Sequence, residues 1–317
     1  MKQRILTGAI LLLVVVGIFF LRNLSLTIFD VFIATSIIFS VSEVSRVFIR
    51  SGRINFMELA VVYAVTVYLS IIWGINSSFT MAQHLLTQTI ILTIFFILSY
   101  LFTVVPKNQV MNSEDFKKRD ITLQEYATKK SLRTLFVMVY PTLLLSFLYL
   151  INHIKELRLS TMATTAYVGV DISLLFLIMT FLVTMATDTF AYFVGSLLKG
   201  PKLAPLISPK KTISGAIGGI FGAILTSVLL FVIFNSNINF NTAFFQAEIT
   251  IWHFVIYGLL AGVISQMGDL FASFVKRKAR AKDYSSIFPG HGGFMDRLDG
   301  VSFNAVFTFI YVMLFFL

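Results

Sequence analysis

The chain has 317 residues, of which 57% are hydrophobic and only 13% charged, and it contains no cysteine. Soluble domains are typically about 45–50% apolar and about 25% charged, and 34 phenylalanines are too many for one aqueous core. Disulfides, thiolate catalysis and cysteine-based zinc or iron–sulfur centres are excluded, and the formal charge of +10 has to be explained by where the cations lie.

A membrane-crossing helix needs about 20 mostly apolar residues. Lys2 and Arg4 precede the first such run, 5–21. A cleavable leader would end in small residues, and Phe19-Phe20-Leu21-Arg22 supplies none, so a retained first span is expected. The second run, 25–42, carries Asp30 and several Ser and Thr. Runs at 57–74 and 85–105 follow. The basic stretch 106–131 then has room for a loop or a helical hairpin, not for an enzyme domain. Further runs occupy 132–150, 174–195, 215–234, 252–272 and 301–317, and 159–173, which contains Asp171, reads as a partial or interfacial element. The expected fold is an all-α, polytopic integral membrane bundle of about nine transmembrane helices with a cytoplasmic N-terminus. Residues 1–150 form its N-terminal helices. Residues 151–317 form a C-terminal region with polar loops at 196–214 and 273–300.

Charge follows this division. With the N-terminus inside, the loops at 43–56, 106–131, 196–214 and 273–300, the N-terminus and Arg133 hold 22 of the Lys and Arg residues. The opposite side has only Arg22, Lys155 and Arg158, as the positive-inside rule requires. The net positive charge therefore reports topology and attraction to anionic headgroups, and no nucleic-acid partner is expected.

Ionisable groups within spans are costly and mark function by default. Asp188 lies in the sixth span and Asp269 near the end of the eighth, and each leads into a polar loop. The first loop contains Ser208-Pro209-Lys210-Lys211-Thr212. Thr212 or Ser214 can cap the following helix, and a helix N-terminus among basic side chains suits phosphate. The second contains Lys276-Arg277, Lys282-Asp283 and Pro289-Gly290-His291-Gly292-Gly293-Phe294-Met295-Asp296-Arg297-Leu298-Asp299. Asp296 and Asp299 are three apart and share a helix face. Hard carboxylates at that spacing suit Mg²⁺, which takes oxygen ligands together with substrate phosphates. Gly290, Gly292 and Gly293 allow close backbone approach. His291 reads either as a donor to phosphate or leaving group or as an orienting residue. No Walker A string is present.

The stretch Ser273–Asp299 resembles the signature of the phosphatidate cytidylyltransferase (CDP-diacylglycerol synthase) family. It carries Ser273, Lys276-Arg277, Lys282-Asp283, His291-Gly292-Gly293, Asp296-Arg297 and Asp299 in that pattern. Asp188 with Ala191–Gly195, and Ser208–Thr212 with Gly215, are also similar to the family. Ala272 stands where members often have Glu, and Arg280-Ala281 replaces a more usual glycine-containing turn. The resemblance implies transfer of CMP from CTP to phosphatidic acid, giving CDP-diacylglycerol and pyrophosphate with Mg²⁺ as cofactor. On that basis Asp188, Asp269, Asp296 and Asp299 are expected to hold metal. Lys210, Lys211, Lys276 and Arg277 are expected on the CTP phosphates and Arg297 on one phosphate. Ser208, Lys282, His291, Gly292 and Gly293 are expected to support substrate binding. A different phosphorylated lipid acceptor and a transporter remain alternatives, and a homodimer is compatible with the sequence.

Overall fold

The computed structural model describes residues 2–118, 121–154, 156–157, 172–237 and 250–316. Lys155, Arg158 and most of 159–173, Asp171 included, lie outside the described residues. The helices are α1 (Lys2–Arg22), α2 (Leu26–Arg50), α3 (Met57–Asn76), α4 (Met81–Val104), α5 (Lys107–Asn112), α6 (Glu114–Lys117), α7 (Leu123–Val137), α8 (Leu144–Asn152), α9 (Ile172–Leu198), α10 (Ile213–Asn237), α11 (Ile251–Lys278) and α12 (Met295–Phe315). Among the described residues eight helical stretches are long and apolar enough to cross a membrane, so the protein is a polytopic helical bundle. One of these, Leu123–Asn152, joins α7 and α8 through a π-helical turn, Met138–Leu143. Pro141 lies in that turn and has no N–H for the helical ladder, a recurrent cause of such irregularities.

The structure departs from the sequence-based boundaries in several places: α11 runs past residue 272 to Lys278, and α12 starts at Met295 instead of 301. The described part of 106–131 is helical and not a plain loop: it forms α5 and α6 and then starts α7, whose first turn is capped by Thr122 accepting from the Glu125 amide at 3.2 Å and whose Tyr126 packs on Phe116 of α6. Helix α2 continues past residue 42 to Arg50, which brings Glu43 inside a helix. The bundle is also not purely helical. Strands β1 (Lys202–Ala204) and β2 (Ser208–Thr212) form a two-stranded antiparallel ribbon with Lys202 opposite Thr212 and Ala204 opposite Ser208. A strand of three residues paired with one of five is too short to leave a periodic pattern in sequence.

Lipid tails give apolar helices little reason to prefer one another over the bilayer, so small residues and hydrogen bonds carry the packing. On the α9–α10 seam a Cβ at Gly215 would come within 2.7 Å of the Ala191 carbonyl, and one at Gly219 within 2.9 Å of the Thr187 carbonyl. Polar ties then fasten the C-terminal helices. Asn304 donates to Thr184 at 2.7 Å, Thr180 to Thr308 at 3.0 Å, and Gln266 to the Ala216 carbonyl at 3.1 Å. Another network joins α1, α2 and α8. The Arg22 guanidinium donates to Asn152 Oδ1 at 2.6 Å, Asn152 donates to Asp30 at 2.9 Å, and His153 Nε2 lies 2.8 Å from the other Asp30 oxygen. Asp30 and Glu43 are 13 residues apart on α2, about 20 Å along the axis, so this network belongs to the other end of the bundle.

Candidate active site

Four elements converge where α9, β2, α11 and α12 meet. Helix α10 begins directly after β2, and Thr212 caps it by accepting from the Gly215 amide at 3.1 Å. Ser214 donates instead to the Lys199 carbonyl. The expected cap is therefore present at Thr212. It ties β2 to α10 and sets the two lysines ahead of it: Lys211 pairs with Asp269 of α11, while Lys210 is exposed. Ser208 is half-buried at the start of β2.

Helices α11 and α12 approach closely beside Asp269 and Asp299. A Cβ at Gly268 would lie 2.7 Å from the Asp299 carbonyl, and one at Gly300 2.8 Å from Ser265 Oγ. That contact brings the acids of two helices together, and α9 adds a third. Asp188, Asp269 and Asp299 are near enough for their charges to act on one another, and Lys211 and Arg297 act on Asp188 in turn. Asp299 is buried and accepts from the Gly300 amide at 2.8 Å. Asp188 is reached from an adjoining cavity. Among the described residues no three acidic or histidine side chains stand close enough to form a metal cage alone. Mg²⁺ commonly binds through one or two carboxylates completed by water and substrate phosphates. The chemistry of this donor set, hard oxygens from three helices with one lysine among them, fits such an ion.

Asp296 is placed differently from its expected partner Asp299. Its Oδ1 accepts from Lys276 Nζ at 2.7 Å, and its Oδ2 accepts from the Tyr284 amide at 2.8 Å and the Gly293 amide at 2.9 Å. Both side chains of the Lys276–Asp296 pair are buried. Both oxygens expected to face a metal, and the lysine expected to face phosphate, thus cross-link the loop between α11 and α12. Tyr284 is enclosed in the same loop, and burial pushes its phenol well above the ordinary range, so it stays protonated. Arg277 donates from Nε to the Ile207 carbonyl at 3.3 Å and from Nη1 to the Ala281 carbonyl at 3.1 Å, joining α11 to the β1–β2 turn. Lys282 and Asp283 are exposed.

The glycine-rich stretch forms a tight turn in which Phe288 donates to the Gly292 carbonyl at 2.9 Å and His291 to the Phe288 carbonyl at 2.8 Å. Gly290 and Gly292 have φ of 75° and 79°, values that cost a glycine nothing. The Gly293 amide is already donated to Asp296. His291 and Arg297 instead line a cavity of about 710 Å³ together with Asp188. His291 Nδ1 is buried without a hydrogen-bond partner. The rest of the lining is mostly apolar and includes Ile10, Leu11, Val14 and Val15 of α1, Phe32 of α2, Phe181 of α9 and Val301 of α12. Along α9 the wall passes from Phe181 to Asp188, about 10 Å of helix rise. The cavity is therefore apolar along one stretch and carries a cation, a carboxylate and an imidazole on another.

One polar residue of this region escaped sequence reasoning. Glu43, 1% exposed, accepts from Ser285 Oγ at 2.6 Å, from the Phe294 amide at 3.0 Å and from the Met295 amide at 2.9 Å. Its signal was an acidic residue in phase with the buried stripe Ile33, Ile37, Ser40, Val44 and Val47 of one helix.

The chain is similar to proteins named phosphatidate cytidylyltransferase. It is 40% identical to that of Brucella abortus biovar 1 (strain 9-941) over 135 residues, 43% of this chain and 46% of the relative. It is 39% identical to that of Rickettsia conorii over 130 residues, 41% of this chain and 54% of the relative. It is 43% identical to that of Rickettsia prowazekii over 125 residues, 39% of this chain and 53% of the relative. Each match spans about half of the relative's length. Residues 2–315, nearly the whole chain, match the Cytidylyltransferase family, and the chain belongs to that family.

Proposed function

We propose that the protein is a phosphatidate cytidylyltransferase, transferring CMP from CTP to phosphatidic acid in phospholipid synthesis. The observation that carries this is the two-natured cavity. Its apolar wall along α1, α2, α9 and α12 suits acyl chains, and its polar groups Arg297, His291 and Asp188 suit a phosphate headgroup beside the acidic cluster. Membership of the family and the names of the relatives support the same assignment.

The acceptor is a phosphomonoester with a second pKa near ~6, so at neutral pH it is largely dianionic. One of its oxygens can attack the α-phosphorus of CTP without a protein base. The new phosphorus–oxygen bond replaces the bond to the β-phosphate, and pyrophosphate leaves. The protein's task is positioning and charge stabilisation. Arg297 orients the lipid phosphate, and His291 can donate a hydrogen bond from its unpartnered Nδ1. Lys210 and Lys211 on β2, with Arg277 and the exposed Lys282, face the nucleotide phosphates, and Ser208 supports them. Asp188, Asp269 and Asp299 would hold Mg²⁺, which when bound neutralises the charge of the triphosphate. Asp296 and Lys276 keep the loop closed. With 22 cations on one side, the N-terminus and this site are assigned to the cytoplasmic face of the inner membrane, with α1 as a ninth span.

The test supplies labelled CTP, Mg²⁺ and a panel of phosphorylated lipids to the purified protein in mixed micelles. Label should enter lipid with phosphatidic acid, with equal release of pyrophosphate. Chelation should abolish transfer and Mg²⁺ should restore it. Absence of labelled lipid with every acceptor would overturn the assignment.

A further inference from the structure

We propose that Glu43 of α2 is the positioning residue of this site. Its carboxylate clamps the segment 285–295 and thereby sets the aim of His291 and Arg297 into the cavity. The proposal rests on the transferase assignment above for its kinetic consequence, and on geometry for the clamp itself.

Helix α12 starts without a cap of its own. Its N-cap residue is Phe294, whose side chain offers no hydrogen bond to the first turn. The leading N–H groups of a helix have no intrahelical acceptor and are costly to bury unsatisfied. Glu43 meets two of them from another helix, one oxygen on the Phe294 amide at 3.0 Å and the other on the Met295 amide at 2.9 Å. The positive end of the α12 dipole favours a carboxylate there. The oxygen on Phe294 also takes the Ser285 hydroxyl at 2.6 Å, so the clamp holds both ends of the segment 285–295. One turn earlier on α2, Phe39 stacks on Phe294 with ring centres 4.8 Å apart and planes within 11°.

The clamped residues are those that shape the site. Phe294, His291 and Arg297 all line the cavity, and Arg297 stands in the first turn that Glu43 caps. Glycine at 293 is required by the same contact, because a Cβ there would overlap the Glu43 carboxylate. Apolar packing within a bilayer discriminates only modestly between helix rotations. Three directed hydrogen bonds to one carboxylate fix the rotation and height of α12, and hence the direction of Arg297. Such a residue should act first on the lipid acceptor, since His291 and Arg297 lie in or beside the clamped segment, whereas Lys210, Lys211, Arg277 and Lys282 lie outside it and Asp299 is held separately by the packing of Gly268 against its carbonyl.

The experiment compares wild type, Glu43→Ala, Glu43→Gln, Gly293→Ala and the Glu43→Ala/Gly293→Ala double variant in nanodiscs. Two readouts are taken: kcat and KM for each substrate separately, and amide hydrogen exchange across 285–295. Glu43→Ala should lower kcat/KM for phosphatidic acid about 10²-fold, as expected for a misplacement near 1 Å, through a raised lipid KM with CTP KM unchanged. Exchange at Phe294 and Met295 should accelerate. Glu43→Gln, which keeps one acceptor oxygen, should fall between. The double variant should be no worse than Glu43→Ala, because both changes break one contact. Wild-type kinetics in Glu43→Ala, or a loss of active protein with both KM values unchanged, would overturn the positioning role. A wild type that transfers no label would overturn the transferase assignment instead, and the exchange data would still decide whether Glu43 holds the segment.

Discussion

Replacing Asp296 by Asn probes how the loop between α11 and α12 is held. Three donors converge on this carboxylate: the Lys276 ammonium at 2.7 Å on one oxygen, and the Tyr284 and Gly293 amides at 2.8 Å and 2.9 Å on the other. Asparagine keeps one acceptor and adds an NH₂ donor. With its oxygen toward the two amides, the NH₂ faces the ammonium; flipped, it faces the two N–H groups. Either arrangement sets donor against donor and removes the charge that balances Lys276. The Asp296 and Lys276 side chains are only 4% and 10% exposed, so water compensates little. Breaking a buried pair on one side costs about 3–5 kcal/mol, which corresponds to about a 100-fold or larger shift in the local opening equilibrium. Hydrogen exchange followed by mass spectrometry should show the Tyr284 and Gly293 amides exchanging faster by that factor, and transfer of label from CTP to lipid should be lost. Insertion into the membrane should be unaffected, since no apolar face of a span is altered. Wild-type protection at both amides, or wild-type transfer, would refute the cross-linking role.

Three other outcomes follow from particular contacts. Gly268→Ala places a methyl 2.7 Å from the Asp299 carbonyl and should destabilise by about 1–3 kcal/mol through overpacking, seen as a lower Tm in detergent. Asp30→Ala removes the acceptor of Asn152 and His153 and should cost about 3 kcal/mol from two hydrogen bonds to a charged group. Transfer per folded molecule should stay at the wild-type level, because this network lies at the other end of α2. Arg280 has φ of 55° just after α11, a left-handed position that costs a side chain about 1 kcal/mol. Arg280→Gly should raise Tm slightly, and an unchanged or lower Tm would show that the arginine side chain offsets the strain.

Much of the architecture is visible in residue order because a bilayer imposes strict terms. Every span must be long, apolar and helical to satisfy its backbone, so the runs from 57–74 to 301–317 announce themselves. Local chemistry is equally direct: Thr212 precedes an apolar run and caps it, and Gly290 and Gly292 take the positive φ that other residues resist. The β1–β2 ribbon was not visible, since eight residues of strand leave no period to detect. Nor was the extension of α2 to Arg50, because Glu43 looks like the polar end of a span until its partners, 242 to 252 residues away in sequence, are known.

Composition and hydropathy were enough to define a many-helix membrane protein, because those properties depend on the solvent each segment must meet. Which acid is tied into the loop and which lies beside the other carboxylates could be read only in three dimensions. Asp296 and Asp299 are three residues apart on one helix face, and spacing alone treats them alike. Their surroundings separate them: Lys276, Tyr284 and Gly293 converge on the first, while the second lies near Asp188 and Asp269. A carboxylate's role is decided by the charges and donors packed around it, and those arrive from helices remote in the chain.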